Sequence, residues 1–172
     1  MGVTVLTQFL KKFIHKENNK KSVKSGKEIK SCTNGKIVNL ESVHDKVFST
    51  KILGDGYAVI PKDTTIFSPV SGYVKDISEN GFAVTIKSDD GLSILIHFGL
   101  NLNSKMDKAV ALAVKSGDRI SSGDIIGKYN FSELGGLDPT ICVIVTNSYK
   151  LTSLCVRTGE SSSVDAAAVY SI

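Results

Sequence analysis

Residues 91–99 read GLSILIHFG, an apolar run that closes on His97, Phe98 and Gly99. At strand spacing, Ile94 and Ile96 face one side and Leu95 and His97 the other. The run is one of a series of similar length: GKIVNL (35–40), YAVI (57–60), TTIFSPV (64–70), GYVKDI (72–77), GFAVTI (81–86), RISSGDIIGKYN (119–130) and TICVIVT (140–146). These are rich in Val, Ile, Tyr and Phe and are separated by N-G, G-D-G, P-V-S-G, D-D-G and S-G-D turns. Pro69 cannot donate to a ladder, so it belongs at a strand start or edge. Only SKMDKAVALAV (104–114) has a helical spacing, through Met106 and Val110, enough for a turn or two. The pattern predicts an all-β domain, an antiparallel β-sandwich or partly open barrel built from short hairpins.

The chain has 172 residues, the size of one domain. Its formal net charge of +4 is unevenly placed. Eight lysines face two glutamates in residues 1–30, whereas acidic residues outnumber basic ones by two over 31–172. A nucleic-acid footprint would spread basic and aromatic residues over the folded part, so nucleic acid is not an expected partner. Within residues 1–14, Val3, Leu6, Phe9, Leu10, Phe13 and Ile14 form a helical stripe beside Lys11 and Lys12. Such a stripe suits an acidic membrane surface, or docking on a protein core. HKENNKKSVKSGKEIK (15–30) is polar and reads as a flexible linker. The expected division is therefore 1–30, amphipathic segment and linker, and 31–172, the folded domain. There is no signal-peptide pattern, and Cys32, Cys142 and Cys155 lack metal-ligand spacing. Reduced thiols in a cytoplasmic protein, peripheral at most to the membrane, are expected.

His97 is the candidate for chemistry. Gly99 just beyond it allows close approach, and the apolar frame of Leu95, Phe98 and Phe82 disfavours imidazolium. A neutral ring nitrogen is then available as a nucleophile, which suits phosphoryl acceptance. His15 lies in the tail and His44 in the loop-like SVHDKVF, so the three histidines make no metal site; no cofactor is expected. The paired turns at 116–118 and 122–124 also suit biotin- or lipoyl-carrying hammerhead domains. Those need a lysine beside a methionine in a hairpin, a feature missing here.

Taken together, GKIVNLESVHDKVFSTKILGDGYAVIP, FSPVSGYVKDI, SDDGLSILIHFGLN and SGDRISSGDIIGKYN resemble, over residues 34–158, the glucose-type IIA domain of the bacterial sugar phosphotransferase system. That resemblance implies a β-sandwich of the duplicated hybrid motif type. It further implies that His97, in the IHFG motif, accepts a phosphoryl group from the phosphocarrier protein HPr and passes it to a cysteine of a transporter's IIB domain. Relatives carry a second histidine 15 residues before the acceptor; here that position is Phe82, whose ring cannot donate to a phosphoryl oxygen. They also commonly carry Asp where this chain has Asn101. Asn80, Gly99 and Asn101 are then the candidate supports for the phosphoryl group. Phe48, Phe82 and Leu100 are candidates for an exposed apolar partner surface. The alternative is a regulatory protein that kept the fold and His97 but lost efficient onward transfer.

Overall fold

The computed structural model describes residues 26–101 and 109–172. Alternating apolar residues bounded by turns produce an all-β molecule in which the paired strands run antiparallel. The first strand, β1 (Lys27–Lys30), is followed by β2 (Gly35–Asn39), a single helical turn α1 (Lys46–Ser49) and β3 (Asp55–Pro61). Next come β4 (Thr65–Phe67), β5 (Gly72–Ile77), β6 (Ala83–Ser88), β7 (Ser93–Phe98) and β8 (Val110–Leu112). The chain ends with β9 (Arg119–Ile120), β10 (Ile125–Tyr129), β11 (Ile141–Val145), β12 (Ser153–Val156), β13 (Gly159–Ser161) and β14 (Ala166–Ser171). Eight strands form one open sheet in the order β13-β2-β3-β11-β7-β6-β5-β9; β1-β14-β12 and β4-β10-β8 form two three-stranded sheets.

The main core gathers the inner face of the large sheet against the two small ones. Ile37, Val59, Ile86, Ile94, Ile96, Phe98 and Val143 meet Ile29, Ile66, Ile126, Tyr129 and Ala168 there. A second, smaller cluster covers the opposite face of the large sheet: Leu40, Val43, Phe48, Ala58, Leu100, Cys142 and Ile144, with Val38 and Leu95 against it. Strand β11 is thus buried along its whole length. Its neighbour β3 approaches closely at Gly56, where a Cβ would stand 2.0 Å from the Val143 carbonyl oxygen.

Three turns share one device. The carboxylates of Asp118, Asp124 and Asp165 accept from the backbone N–H of Lys115, Ser121 and Ser162, at 2.9, 2.7 and 2.7 Å. The carbonyls of the same aspartates accept from Val74, Ser68 and Ser31. Each turn therefore stitches a following strand to a distant segment.

Lys27–Lys30, which composition alone places at the end of the linker, pairs with β14 as β1. Of the stretch 104–114 with helical spacing, Val110–Leu112 is strand, paired with β10, which supplies a ladder that an isolated turn of helix lacks. The rest of that stretch through Lys108, and the amphipathic residues 1–14, lie outside the described residues. No helix among the described residues is long and apolar enough to cross a membrane.

Candidate functional site

His97 sits one residue from the end of β7, an interior strand of the large sheet, between β6 and β11. The strand's alternation places Ile94 and Ile96 in the main core and Leu95 against the outer cluster, so His97, two residues on, emerges on the outer face. Its strand neighbours are Ala83 on β6 and the buried Cys142 on β11. The chain then turns at Gly99, with φ of +72°, a conformation that glycine adopts without a side-chain penalty. The turn brings the Gly99 carbonyl back to the ring, 3.0 Å from His97 Nδ1. In the neutral ring Nδ1–H donates to that carbonyl, leaving the lone pair on Nε2.

The half-buried ring opens on a depression of about 280 Å³ lined by Asp45, Val47, Phe48, Asn80, Phe82, His97 and Asn101. The Phe48 ring lies 5.0 Å from the imidazole, tilted by 55°. Burial, the largest influence, pushes the His97 pKa below 6.5, against opposing effects of the Gly99 carbonyl and the Asp45 charge. A neutral nucleophilic nitrogen in a partly dry, open-sided cup is suited to accepting an electrophilic group.

The candidate residues divide clearly. Asn80, Phe82 and Asn101 share the depression with His97 and Phe48, and Gly99 contributes its carbonyl. Asn80 Oδ1 accepts from the Ser78 hydroxyl at 2.8 Å and from the Phe82 backbone N–H at 3.1 Å. Those bonds hold the Asn80 side chain in place beside Phe82. Asn101 adopts φ of +54°, the left-handed region. Leu100 is not part of an exposed surface: its side chain, 1% exposed, turns into the outer cluster with Leu40, Phe48 and Cys142. Phe48 and Phe82, at 5% and 3%, line the depression but expose little of themselves, Phe48 being packed into the outer cluster.

The exposed apolar residues are others. Val47 lines the depression, Ile52 and Leu53 follow α1, and Ile60 lies on the outer face of β3. The sequence signal for Val47, Ile52 and Leu53 was the short run KVFSTKIL, whose helical turn is started by Asp45: its Oδ1 accepts from the Val47 N–H at 2.8 Å. Lys51 then takes φ of +57° and is held between Glu41 and Asp55, at 2.6 and 2.8 Å. Asp45, missed in the sequence, is also in the depression. His44 is exposed on a separate concavity with Val38, Ile60 and Asp138. Among the described residues no group of three or more His, Cys, Asp or Glu side chains could hold a metal ion.

Residues 27–151 match the family model described as phosphoenolpyruvate-dependent sugar phosphotransferase system, EIIA 1. The chain is 31% identical over 154 residues to a PTS system glucose-specific EIIA component of Haemophilus influenzae, covering 88% of this chain and 90% of that protein. It is 34% identical over 129 residues to a PTS system glucose-specific EIICBA component of Streptococcus pneumoniae; the match covers 74% of this chain and 18% of that longer protein. Among solved structures, glucose permease IIA from Mycoplasma capricolum superposes with a TM-score of 0.77 at 26% identity, over 85% of this chain and 96% of that one.

Proposed function

The chain belongs to the EIIA 1 family of the phosphoenolpyruvate-dependent sugar phosphotransferase system, and from that premise we propose that His97 is its phosphoryl acceptor. In this reading the Nε2 lone pair attacks the phosphorus of phospho-HPr, the donor's N–P bond breaks, and the donor imidazole leaves with its electron pair. A cysteine thiolate of a IIB domain then attacks the same phosphorus, and the electron pair returns to Nε2. The single observation that carries the proposal is the Nδ1 contact with the Gly99 carbonyl, which leaves the lone pair to Nε2 on a ring that lines the depression. With Nδ1 still protonated, the ring departs as neutral imidazole in the second step, a better leaving group than imidazolate. Val47, exposed and in the lining of the depression, supplies apolar surface of the kind that protein partners cover.

The test is direct. Incubation with phospho-HPr labels the wild-type chain at one equivalent, and the label maps to His97 by mass spectrometry. His97→Ala, folded by circular dichroism, takes none. Labelling of the alanine variant would displace His97 as acceptor.

A second reading is favoured by Phe82. A regulatory protein of this fold would take the group and hold it, its phosphorylation state being what partners detect. Labelling that persists when a IIB domain is added would decide for this reading. The proposed location is cytoplasmic, with residues 1–14 lending affinity for acidic membrane.

A further inference from the structure

Six of the seven described residues lining the depression carry no fixed charge: Val47, Phe48, Asn80, Phe82, Asn101 and His97 itself, which burial keeps neutral. Among the described residues, Asp45 is the one carboxylate in that lining. Its position is fixed from both sides. Its backbone precedes α1, its Oδ1 accepts from the Val47 N–H, and its carbonyl accepts from the Ser49 N–H at 2.9 Å. The charge is felt at two neighbouring points of the sheet, His97 on β7 and Cys142 beside it on β11. Asp138 also reaches Cys142, but it is outside the lining, its Oδ1 accepting from the Thr140 N–H and hydroxyl.

We propose that Asp45 sets the transfer potential of a phosphoryl group on His97, its carboxylate repelling the group from Nε2 and so favouring departure to an acceptor. This rests on the carrier function proposed for His97. A phosphoryl group on Nε2 brings close to two negative charges into a cup whose described lining already holds one. It finds there two phenyl rings, a valine and two amides, and no cation on a described lining residue. The like charges oppose each other across a partly desolvated space, where screening is weaker than in bulk water. The repulsion is relieved when the N–P bond breaks, the electron pair returns to Nε2 and the phosphoryl group bonds to the incoming nucleophile. Asp45 is thus a positioning and electrostatic residue, leaving the bond-making to the ring nitrogen.

The substitution that isolates this is Asp45→Asn, because asparagine also caps a helix start and the α1 turn is retained. The background is a chain carrying His15→Gln and His44→Gln, so that His97 is the one histidine left. Phosphoramidate, a small phosphoryl donor needing no protein partner, labels His97 in both forms, and phosphorus NMR follows its loss. The phosphohistidine of Asp45→Asn is expected to last roughly three- to thirtyfold longer, the range Coulomb's law gives for one charge at partly screened dielectric. The equilibrium constant for loading from phospho-HPr rises by a similar factor. The imidazole pKa, read by proton NMR in the unphosphorylated protein, falls in the variant, which a purely structural role would leave unmoved. An unchanged lifetime, or a shorter one, overturns the proposal whatever phospho-HPr does. If phospho-HPr labels neither form while the phosphoramidate label still lives longer in Asp45→Asn, the carrier function falls and the role of Asp45 stands. If phosphoramidate leaves His97 unlabelled, both fall together.

Discussion

At His97 the competition is between burial, which removes the proton from the ring, and two neighbours that favour it, and burial wins. The consequence is a pH dependence of definite sign. The unfolded ring titrates near 6.5 and the folded ring lower, so phosphoryl acceptance, which needs the neutral ring, persists below pH 6.5 and declines only through the depressed folded value. Stability follows the same direction: the His97 contribution is complete above 6.5 and is lost as pH falls through the folded pKa. Initial labelling rates between pH 5 and 8 check this, with His97→Gln flattening the matching part of the stability profile. Phe82 shares the depression with His97. It lines that depression at the position where the family resemblance implies a histidine donor in related domains. Losing one aimed donor costs roughly a hundredfold in rate. Phe82→His is therefore expected to speed transfer from phosphorylated His97 to a IIB domain by about that factor, measured by rapid quench, with acceptance from phospho-HPr little changed. Equal rates in the two proteins would assign the donor's work to another group, such as the Asn80 amide.

Asp90 shows how a single element is held. It lies in the turn joining β6 and β7, where it accepts from the Ser88 hydroxyl, the Tyr170 hydroxyl of β14 and Lys27 Nζ of β1. Burial alone would raise its pKa, but those donors outweigh burial and hold it below 3.8. Asp90→Asn removes the charge and mismatches at least one donor, so urea denaturation at pH 7 is expected to show a loss of about 1–3 kcal/mol. Because the folded pKa is the lower one, the wild-type advantage is present above the ordinary carboxylate range and disappears as pH falls through the folded value. The elements themselves were legible in the sequence to different degrees. Strands with strict alternation, β6 and β7 above all, declare both their existence and their buried face. The two S-G-D turns were legible because a glycine marks them, with φ near +94° at Gly117 and +93° at Gly123. The equivalent turn at Ser162–Asp165 was not, since Val164 occupies the glycine position and only the Asp165 hydrogen bonds reveal it. Helix α1 escaped for a related reason: a single turn has no period, and only its capping aspartate signals it. With α1 went the exposed Ile52 and Leu53 and the placement of Asp45. Leu100 misled because an apolar residue after a glycine turn points inward or outward according to a covering segment that lies 60 residues away in the chain.

For the whole molecule, the uneven charge predicts two behaviours in one chain. The described domain carries its site on the outer face of one sheet, while residues 1–14 hold an apolar stripe beside lysines. Each lysine adds roughly 1 kcal/mol of attraction to an acidic surface. Vesicles containing anionic lipid are expected to bind the intact chain and raise its helical circular dichroism; removing residues 1–14 abolishes both effects, and neutral vesicles produce neither. Equal partitioning of the truncated protein would rule out the membrane function of that segment. Strand β11, covered on both faces and hydrogen-bonded along both edges, has a wider meaning for how such a carrier signals. Amides so placed are expected to exchange with solvent only when the whole domain opens, and His97 rides on the strand next to it. A phosphoryl group accepted by His97, as proposed, would be carried above this doubly covered strand. On the proposed function, the loaded and unloaded forms are expected to differ at this face chiefly in surface potential, as a coin is told by its stamp, with the buried strand beneath the same in both.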